Sequence, residues 1–211
     1  MPKLLADQPA VYTMLGQDRA WDQRVVDWIN RVREQMRSGV IAPGAIHDCR
    51  SVLDEMRLIK GMDELQIMQR AADISTQAHR RAMQTTRPGM REYQIEAELL
   101  YTFYRHGAQA PAYTSIVAGG ANACVLHYVD NRDELKSGDL LLIDAGCELD
   151  GYASDITRTF PVNGKFTAAQ KAVYELVLAA QAAAIAQVKP GNHWNDPHQA
   201  ALNVLAQGFI D

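Results

Sequence analysis

The chain has 211 residues, 47% hydrophobic and 22% charged, which is the ordinary composition of one or two folded globular domains. Its 21 lysines and arginines against 25 aspartates and glutamates give a formal net charge of −4, which argues against nucleic acid or an anionic membrane surface as the main partner. Three cysteines without a C-x-x-C spacing argue against a disulfide framework and a zinc knuckle, and favour a cytoplasmic protein with reduced thiols. No apolar stretch is long enough to predict a membrane span.

The first fifty or so residues predict a small αβ segment. An apolar run at the N-terminus is broken by Asp7, so it does not resemble a signal peptide. A second short helical pattern covers residues 46–58. Before it, a helix that ends at Ser38-Gly39 is predicted from four apolar residues at helical spacing: Val25, Val26, Ile29 and Val32.

Two longer amphipathic helices are predicted next. The first begins at Met62 and stops at Arg87-Pro88-Gly89. The second covers residues 91–106, and Gly107 supplies its C-terminal stop.

Chain with a strand-like pattern follows, and two more helices come after it. Four β-rich segments are predicted at residues 113–118, 124–129, 140–146 and 152–160. Thr167 and Gln170 form a capping-box pattern that opens a helix to about residue 187. Asp196-Pro197 supplies a cap and a first-turn proline for a last helix, which Gly208 ends. The order predicts an α+β fold with an antiparallel meander of sequential strands.

Two aspartates flank a predicted hairpin. Asp150-Gly151 favours a two-residue type I′ turn, which would pair residues whose numbers sum to 301. Asp144 and Asp155 sum to 299, so they are expected on one face of the hairpin as diagonal neighbours, with backbones about 7–8 Å apart. Their side chains could then converge on one small volume.

Two converging carboxylates repel each other, so one must take a proton or cations must lie between them. Oxygen ligands at this spacing suit one or two hard divalent ions such as Mn²⁺ or Mg²⁺. The alternative from the residues alone is a surface hairpin whose aspartates cap turns or face water.

Around the hairpin, residues 142–148 and 151–161 form an extended motif that continues through residues 163–166. Other matching stretches are residues 55–60, Tyr113, residues 116–120 and Leu126-His127-Tyr128. In these residues the chain resembles the Xaa-Pro aminopeptidases (aminopeptidase P), which belong to the pita-bread metallopeptidases. The resemblance spans nearly the whole chain.

The resemblance implies the fold and the domain organisation. Residues 57–211 would form the first half of a pita-bread catalytic domain, an antiparallel sheet with flanking helices. Residues 1–56 would be the C-terminal remnant of a truncated N-terminal domain. The chain would therefore be an internal fragment of a longer enzyme, which in full length would form a homo-oligomer in the cytoplasm.

The resemblance also implies an activity and a site. The enzyme would release the N-terminal residue from peptides with proline in the second position, using two divalent metal ions, most often Mn²⁺. Asp144 and Asp155 would be metal ligands, His127 would be a catalytic and substrate-binding residue, and Tyr113 would line the substrate site. The family's other three metal ligands, one histidine and two glutamates, have no match here, so the chain is expected to be inactive alone.

Three other interpretations stay open. The chain could be a non-catalytic pita-bread module that binds peptides or proteins. It could belong to an Xaa-Pro dipeptidase (prolidase), a class that shares the Asp-Ile-Thr signature of residues 155–157 but fits the surrounding residues less well. A separate polypeptide could also supply the missing ligands.

Overall fold

The computed structural model describes residues 1–210, which form two compact units, one from Met1 to Glu64 and the other from Leu65 onward. The division falls in the first turn of a helix that begins at Met62. The predicted domain boundary between residues 56 and 57 falls inside the preceding helix, and that domain assignment stays a prediction.

The first unit pairs two short parallel strands and carries three α-helices, in the order α1 (Pro2–Leu5), β1 (Ala10–Thr13), α2 (Arg19–Arg33), β2 (Ala45–Asp48) and α3 (Arg50–Leu58). The predicted helix is confirmed as α2, and Asp18 caps it by accepting hydrogen bonds from the backbone of its first turn. It ends at Arg33, however, and the predicted stop at Ser38-Gly39 instead closes a short 3₁₀ helix (Met36–Ser38). The helix predicted over residues 46–58 is wrong at its start. Residues 46–48 belong to β2, because pairing with β1, which local periodicity did not reveal, overrides their helical pattern.

Four helices of the predicted lengths belong to the rest of the chain: α4 (Met62–Thr85), α5 (Glu92–Arg105), α6 (Ala168–Ile185) and α7 (Asp196–Gly208). Gly107 follows α5 with φ of 92°, and Thr167 and Gln170 form both bonds of the predicted capping box of α6. At α7 the cap position is Asn195 and not the predicted Asp196, which is already helical. None of the helices in residues 1–210 combines the length and apolarity needed to cross a membrane.

Six strands form two three-stranded antiparallel sheets: β3 (Ala110–Pro111), β4 (Ile116–Gly119), β5 (Leu140–Ala145), β6 (Cys147–Leu149), β7 (Tyr152–Ala153) and β8 (Ile156–Pro161). The orders are β4-β5-β8 and β3-β6-β7, so β5 and β6 are the central strands of different sheets. The antiparallel part of the prediction is confirmed, but the single meander is wrong. The sheet changes at Gly146, between β5 and β6, where the backbone leaves one ladder and enters the other.

One core cluster joins α4 and α5 to both sheets, and it contains the large buried side chains Ile95, Leu99, Phe103, Leu141 and Ile143. Each such side chain stabilises the fold by about 1.5–3 kcal/mol. Burial alternates along β5, so Leu141, Ile143 and Ala145 face this core while the residues between them face the other side. Asp144 is therefore on the face of the sheet that points away from the core.

Candidate metal centre

The hairpin that carries the two aspartates has the predicted register. Leu149 of β6 pairs with Tyr152 of β7 across the two-residue turn, and in the other sheet Asp144 of β5 pairs with Thr157 of β8. The turn residues Asp150 and Gly151 have φ of 50° and 84°, as a type I′ turn requires. The predicted Asp-Gly turn is confirmed, and so is the prediction that the numbers of paired residues sum to 301.

The two arms cross very closely where the sheets change. A Cβ atom placed on Gly146 would lie 1.7 Å from the carbonyl oxygen of Ser154 and 2.4 Å from its carbonyl carbon. Because both atoms are backbone, only glycine fits at this position. The predicted strand over residues 152–160 is interrupted here, and Ser154 and Asp155 lie between β7 and β8.

The carboxylates of Asp144 and Asp155 meet at the hydroxyl of Tyr113. The Tyr113 oxygen lies 2.5 Å from Oδ1 of Asp144 and 3.0 Å from Oδ1 of Asp155. The distance between the two carboxylate oxygens therefore cannot exceed the sum of these two distances. Asp144 is half-buried and Asp155 is exposed. Tyr113 lies in the connection between β3 and β4, and the strand that was predicted to begin with it starts three residues later, at Ile116.

The electrostatics of this cluster favour a cation. Burial first, and then the hydrogen bonds to the two carboxylates, raise the pKa of Tyr113 above its ordinary value, so this hydroxyl stays protonated and donates. One hydroxyl proton cannot bond fully to two carboxylates. Hard oxygen donors that converge in this way fit a divalent ion such as Mn²⁺.

The two carboxylates are not joined by further metal-binding side chains in the described part of the chain. Within residues 1–210 no group of three or more histidine, cysteine, aspartate or glutamate side chains is close enough to hold a metal ion. Asp144 and Asp155 therefore meet as a pair, without a third side chain of these types beside them in the described residues.

Buried hydroxyl groups hold the crossing of the hairpin. Ser154 Oγ lies 2.7 Å from Ser75 Oγ of α4, and the backbone N–H of Cys147 lies 3.0 Å from both oxygens. Ser154 directly precedes Asp155 in the chain. The network therefore fixes the backbone from which the Asp155 side chain projects.

One turn further along α4, His79 braces the other arm. Its Nε2 lies 3.1 Å from the carbonyl oxygen of Ala145, next to Asp144, and the carbonyl can only accept, so Nε2 carries the proton. Burial lowers the pKa of His79 below its ordinary value, although the bond to Ala145 opposes that shift. Ser75 and His79 were missed as support residues. The available signal was two polar residues four apart on the otherwise apolar face of α4.

His127 lies on an exposed loop and not in a strand. The strand predicted over residues 124–129 is wrong, because residues 120–124 form a 3₁₀ helix and the following residues form a turn. His127 has φ of 56°, which is uncommon for a residue other than glycine. The structure places Tyr113, Asp144 and Asp155 together, and gives no contact between them and His127.

The model of metallopeptidase family M24 matches residues 66–211, which is more than half of the chain. The chain therefore belongs to this family of metallopeptidases. Its fold over this length is the one seen in aminopeptidase P, as the resemblance predicted.

Three similar proteins illustrate the relationship. The Xaa-Pro aminopeptidase of Haemophilus influenzae is 45% identical over 211 residues, covering all of this chain and 46% of the relative. The structure of Pseudomonas aeruginosa aminopeptidase PepP matches with a TM-score of 0.96 and 49% identity, covering 99% of this chain and 47% of that one. Zinc-substituted Escherichia coli aminopeptidase P in complex with product matches with a TM-score of 0.95 and 42% identity, covering 99% and 48%. The chain thus spans about half the length of the curated relatives it matches.

Proposed function

We propose that this chain contributes part of the active site of a metal-dependent aminopeptidase that releases the N-terminal residue from peptides with proline in the second position. The observation that carries the proposal is the convergence of the Asp144 and Asp155 carboxylates on one hydroxyl. Membership of family M24 supports the metallopeptidase class, and the likeness to Xaa-Pro aminopeptidases along the whole chain supports the substrate.

In this proposal Asp144 and Asp155 are the first two ligands of a pair of divalent ions, with Mn²⁺ as the metal we favour. The bound ions would polarise the scissile carbonyl and lower the pKa of the attacking water. The Tyr113 hydroxyl lies within hydrogen-bond distance of both carboxylates and would help to orient them. Two carboxylates cannot complete such a centre, so the remaining donors must come from chain other than residues 1–210.

His127 is the residue that we assign to the substrate. A histidine N–H can donate to the carbonyl oxygen of the scissile bond while negative charge develops on it. The bond before proline is a tertiary amide without an N–H, so a site for it needs room for the proline ring and no acceptor at that position. Tyr113 would form part of the wall of this site.

Metal binding tests the role of the two carboxylates. Titration of the purified chain with Mn²⁺, followed by electron paramagnetic resonance of the free ion, should show that Asp144→Asn and Asp155→Asn each weaken binding by about tenfold or more. Asp150→Asn is the matched control, because asparagine tolerates the positive φ of this turn position in the same hairpin. Equal affinity in all four proteins would contradict the proposal and leave the non-catalytic module as the better interpretation.

Peptidase assays test the incomplete ligand set. We expect no hydrolysis of an Xaa-Pro peptide by the isolated chain with added Mn²⁺, since only two of the donors meet in residues 1–210. Robust Mn²⁺-dependent hydrolysis would show that two carboxylates suffice. The homo-oligomer and the cytoplasmic location stay predictions.

A further inference from the structure

A fully buried carboxylate lies outside the candidate metal centre. Glu92, the first residue of α5, has 0% of its surface exposed. Its two oxygens accept hydrogen bonds from four groups that all belong to one stretch of chain, residues 119–133. His127 lies within this stretch.

The four bonds reach the beginning, the middle and the end of the stretch. Glu92 Oε1 accepts from the backbone N–H of Gly119 at 2.8 Å and from Asn122 Nδ2 at 3.0 Å. Glu92 Oε2 accepts from the Tyr128 hydroxyl at 2.7 Å and from the backbone N–H of Asp133 at 3.0 Å. A single side chain therefore closes the stretch into a loop, in the way that a bound anion would.

These bonds explain how a carboxylate can be buried here. Four donors compensate the loss of water around Glu92, and its place in the first turn of α5 lets the helix dipole stabilise the negative charge. In return, burial and the bond to Glu92 raise the pKa of Tyr128 to about 12, so Tyr128 remains a donor. No cation is needed at this site.

The loop starts beside the candidate metal centre. Its first residue, Gly119, ends β4, and three residues earlier Ile116 pairs with Asp144 on β5. At its tip the chain is exposed, with Leu126 87% exposed and His127 also exposed. Tyr128, the neighbour of His127, is half-buried and bonded to Glu92. Directly after the exposed tip, the loop is therefore held by the hydrogen bond from Tyr128 to Glu92.

We infer that Glu92 is a positioning residue for His127: its carboxylate gathers the donors of residues 119–133 and so sets the conformation from which His127 projects. The inference deepens the proposed function, since the task of His127 rests on that proposal. Glu92 itself would touch neither substrate nor metal.

Two variants separate positioning from general stability. In Glu92→Gln an NH₂ group replaces one carboxylate oxygen and must face either the N–H of Gly119 or the N–H of Asp133. Two donors cannot bond to each other, so one of these backbone bonds is lost. In Tyr128→Phe only one donor is lost and both backbone bonds remain. Glu96→Gln, one turn further along α5 and half-buried, is the matched control.

Hydrogen exchange by nuclear magnetic resonance gives the first measurement. In Glu92→Gln we expect exchange at Gly119 or Asp133 to accelerate by about tenfold or more relative to Ser154, whose N–H bonds to Cys147 in the hairpin. General destabilisation would accelerate all three alike. The side-chain resonances of His127 should shift in Glu92→Gln, shift less in Tyr128→Phe and stay in place in Glu96→Gln.

Unchanged relative exchange and unchanged His127 resonances in a folded Glu92→Gln protein would overturn the inference. Should that variant fail to fold, Tyr128→Phe decides: an unmoved His127 resonance would overturn the inference, and a shifted one would support it. Neither measurement uses metal or activity, so failure of the metal-binding test leaves this result independent.

Discussion

The hairpin with Asp144 and Asp155 and the loop of residues 119–133 are held in different ways. In the hairpin, backbone ladders fix the register, and buried hydroxyl groups from α4 add to them at the crossing. The loop is held instead by side-chain hydrogen bonds. Glu92 accepts from donors of the loop, and Asn131 bonds to the backbone of residues that precede the loop. The hairpin therefore depends on space for its backbone, whereas the loop depends on a few polar groups.

The largest effect is expected where the hairpin has no spare room. Gly146→Ala places a Cβ against the backbone of Ser154, and neither arm can move without breaking its ladder. We expect the free energy of unfolding to fall by about 3 kcal/mol, as in strong overpacking. Urea denaturation measures it, with Gly44→Ala as control, since the nearest atom to that added Cβ is 3.9 Å away. A loss below about 1 kcal/mol would show that the crossing is adaptable.

The second anchor of the loop should give the next effect. Asn131 is buried with φ of 48°, accepts from the N–H of Val117 at 2.9 Å and donates to the carbonyl oxygen of Ser115 at 2.8 Å. Asn131→Ala leaves both backbone groups unpaired and strains the backbone, so we expect a loss of about 2–3 kcal/mol. Asn131→Gly loses the same two hydrogen bonds but not the backbone strain, so it should be about 1 kcal/mol more stable than Asn131→Ala. Equal losses in the two variants would show that positive φ costs nothing here.

A smaller effect is expected for the hydroxyl groups that support the hairpin. Ser154→Ala and Ser75→Ala should each lower the free energy of unfolding by about 1 kcal/mol, because Cys147 N–H keeps one of its two acceptors in either variant. The double variant leaves that N–H unpaired and should lose more than the two single losses together. Simple additivity in a denaturation cycle would show that the two serines act independently.

The smallest effect concerns pH. Since burial lowers the pKa of His79, the unfolded chain takes up its proton at a higher pH than the folded chain does. Stability is therefore complete above about pH 6.5, the ordinary histidine value, and falls as the pH drops below it, by at most about 1.4 kcal/mol per pH unit. His79→Gln keeps an N–H for Ala145 but cannot titrate, so its free energy of unfolding should decline less between pH 6.5 and 5. Parallel declines in the two proteins would assign the acid sensitivity to other groups.

What could be predicted from the sequence follows the same division. The Asp150-Gly151 turn and the capping box of α6 are local signals, and each gave the observed structure. The convergence of Asp144 and Asp155 follows from the turn, because a two-residue loop fixes every later pairing.

The features that were missed depend on partners far away in the chain. Glu92 lies 27 residues from Gly119 and 41 from Asp133, so no local pattern marks it as the centre of the loop. The strand predicted over residues 124–129 has apolar β-forming residues, but Tyr128 is drawn to Glu92 and the neighbouring side chains are left exposed. Likewise β1 and β2 are more than thirty residues apart in the chain, and each is recognisable as a strand only from its parallel pairing with the other.

The tight turn at Asp150-Gly151 also limits how the length of this protein can vary. Side chains alternate between the two faces of a strand, so one extra residue within either arm would rotate one of the two aspartates to the opposite face. Two extra residues in one arm would restore the facing but would move that carboxylate about 7 Å along the strand, away from its partner. Homologues that retain both carboxylates should therefore keep a constant number of residues between them, unless a bulge absorbs an extra residue.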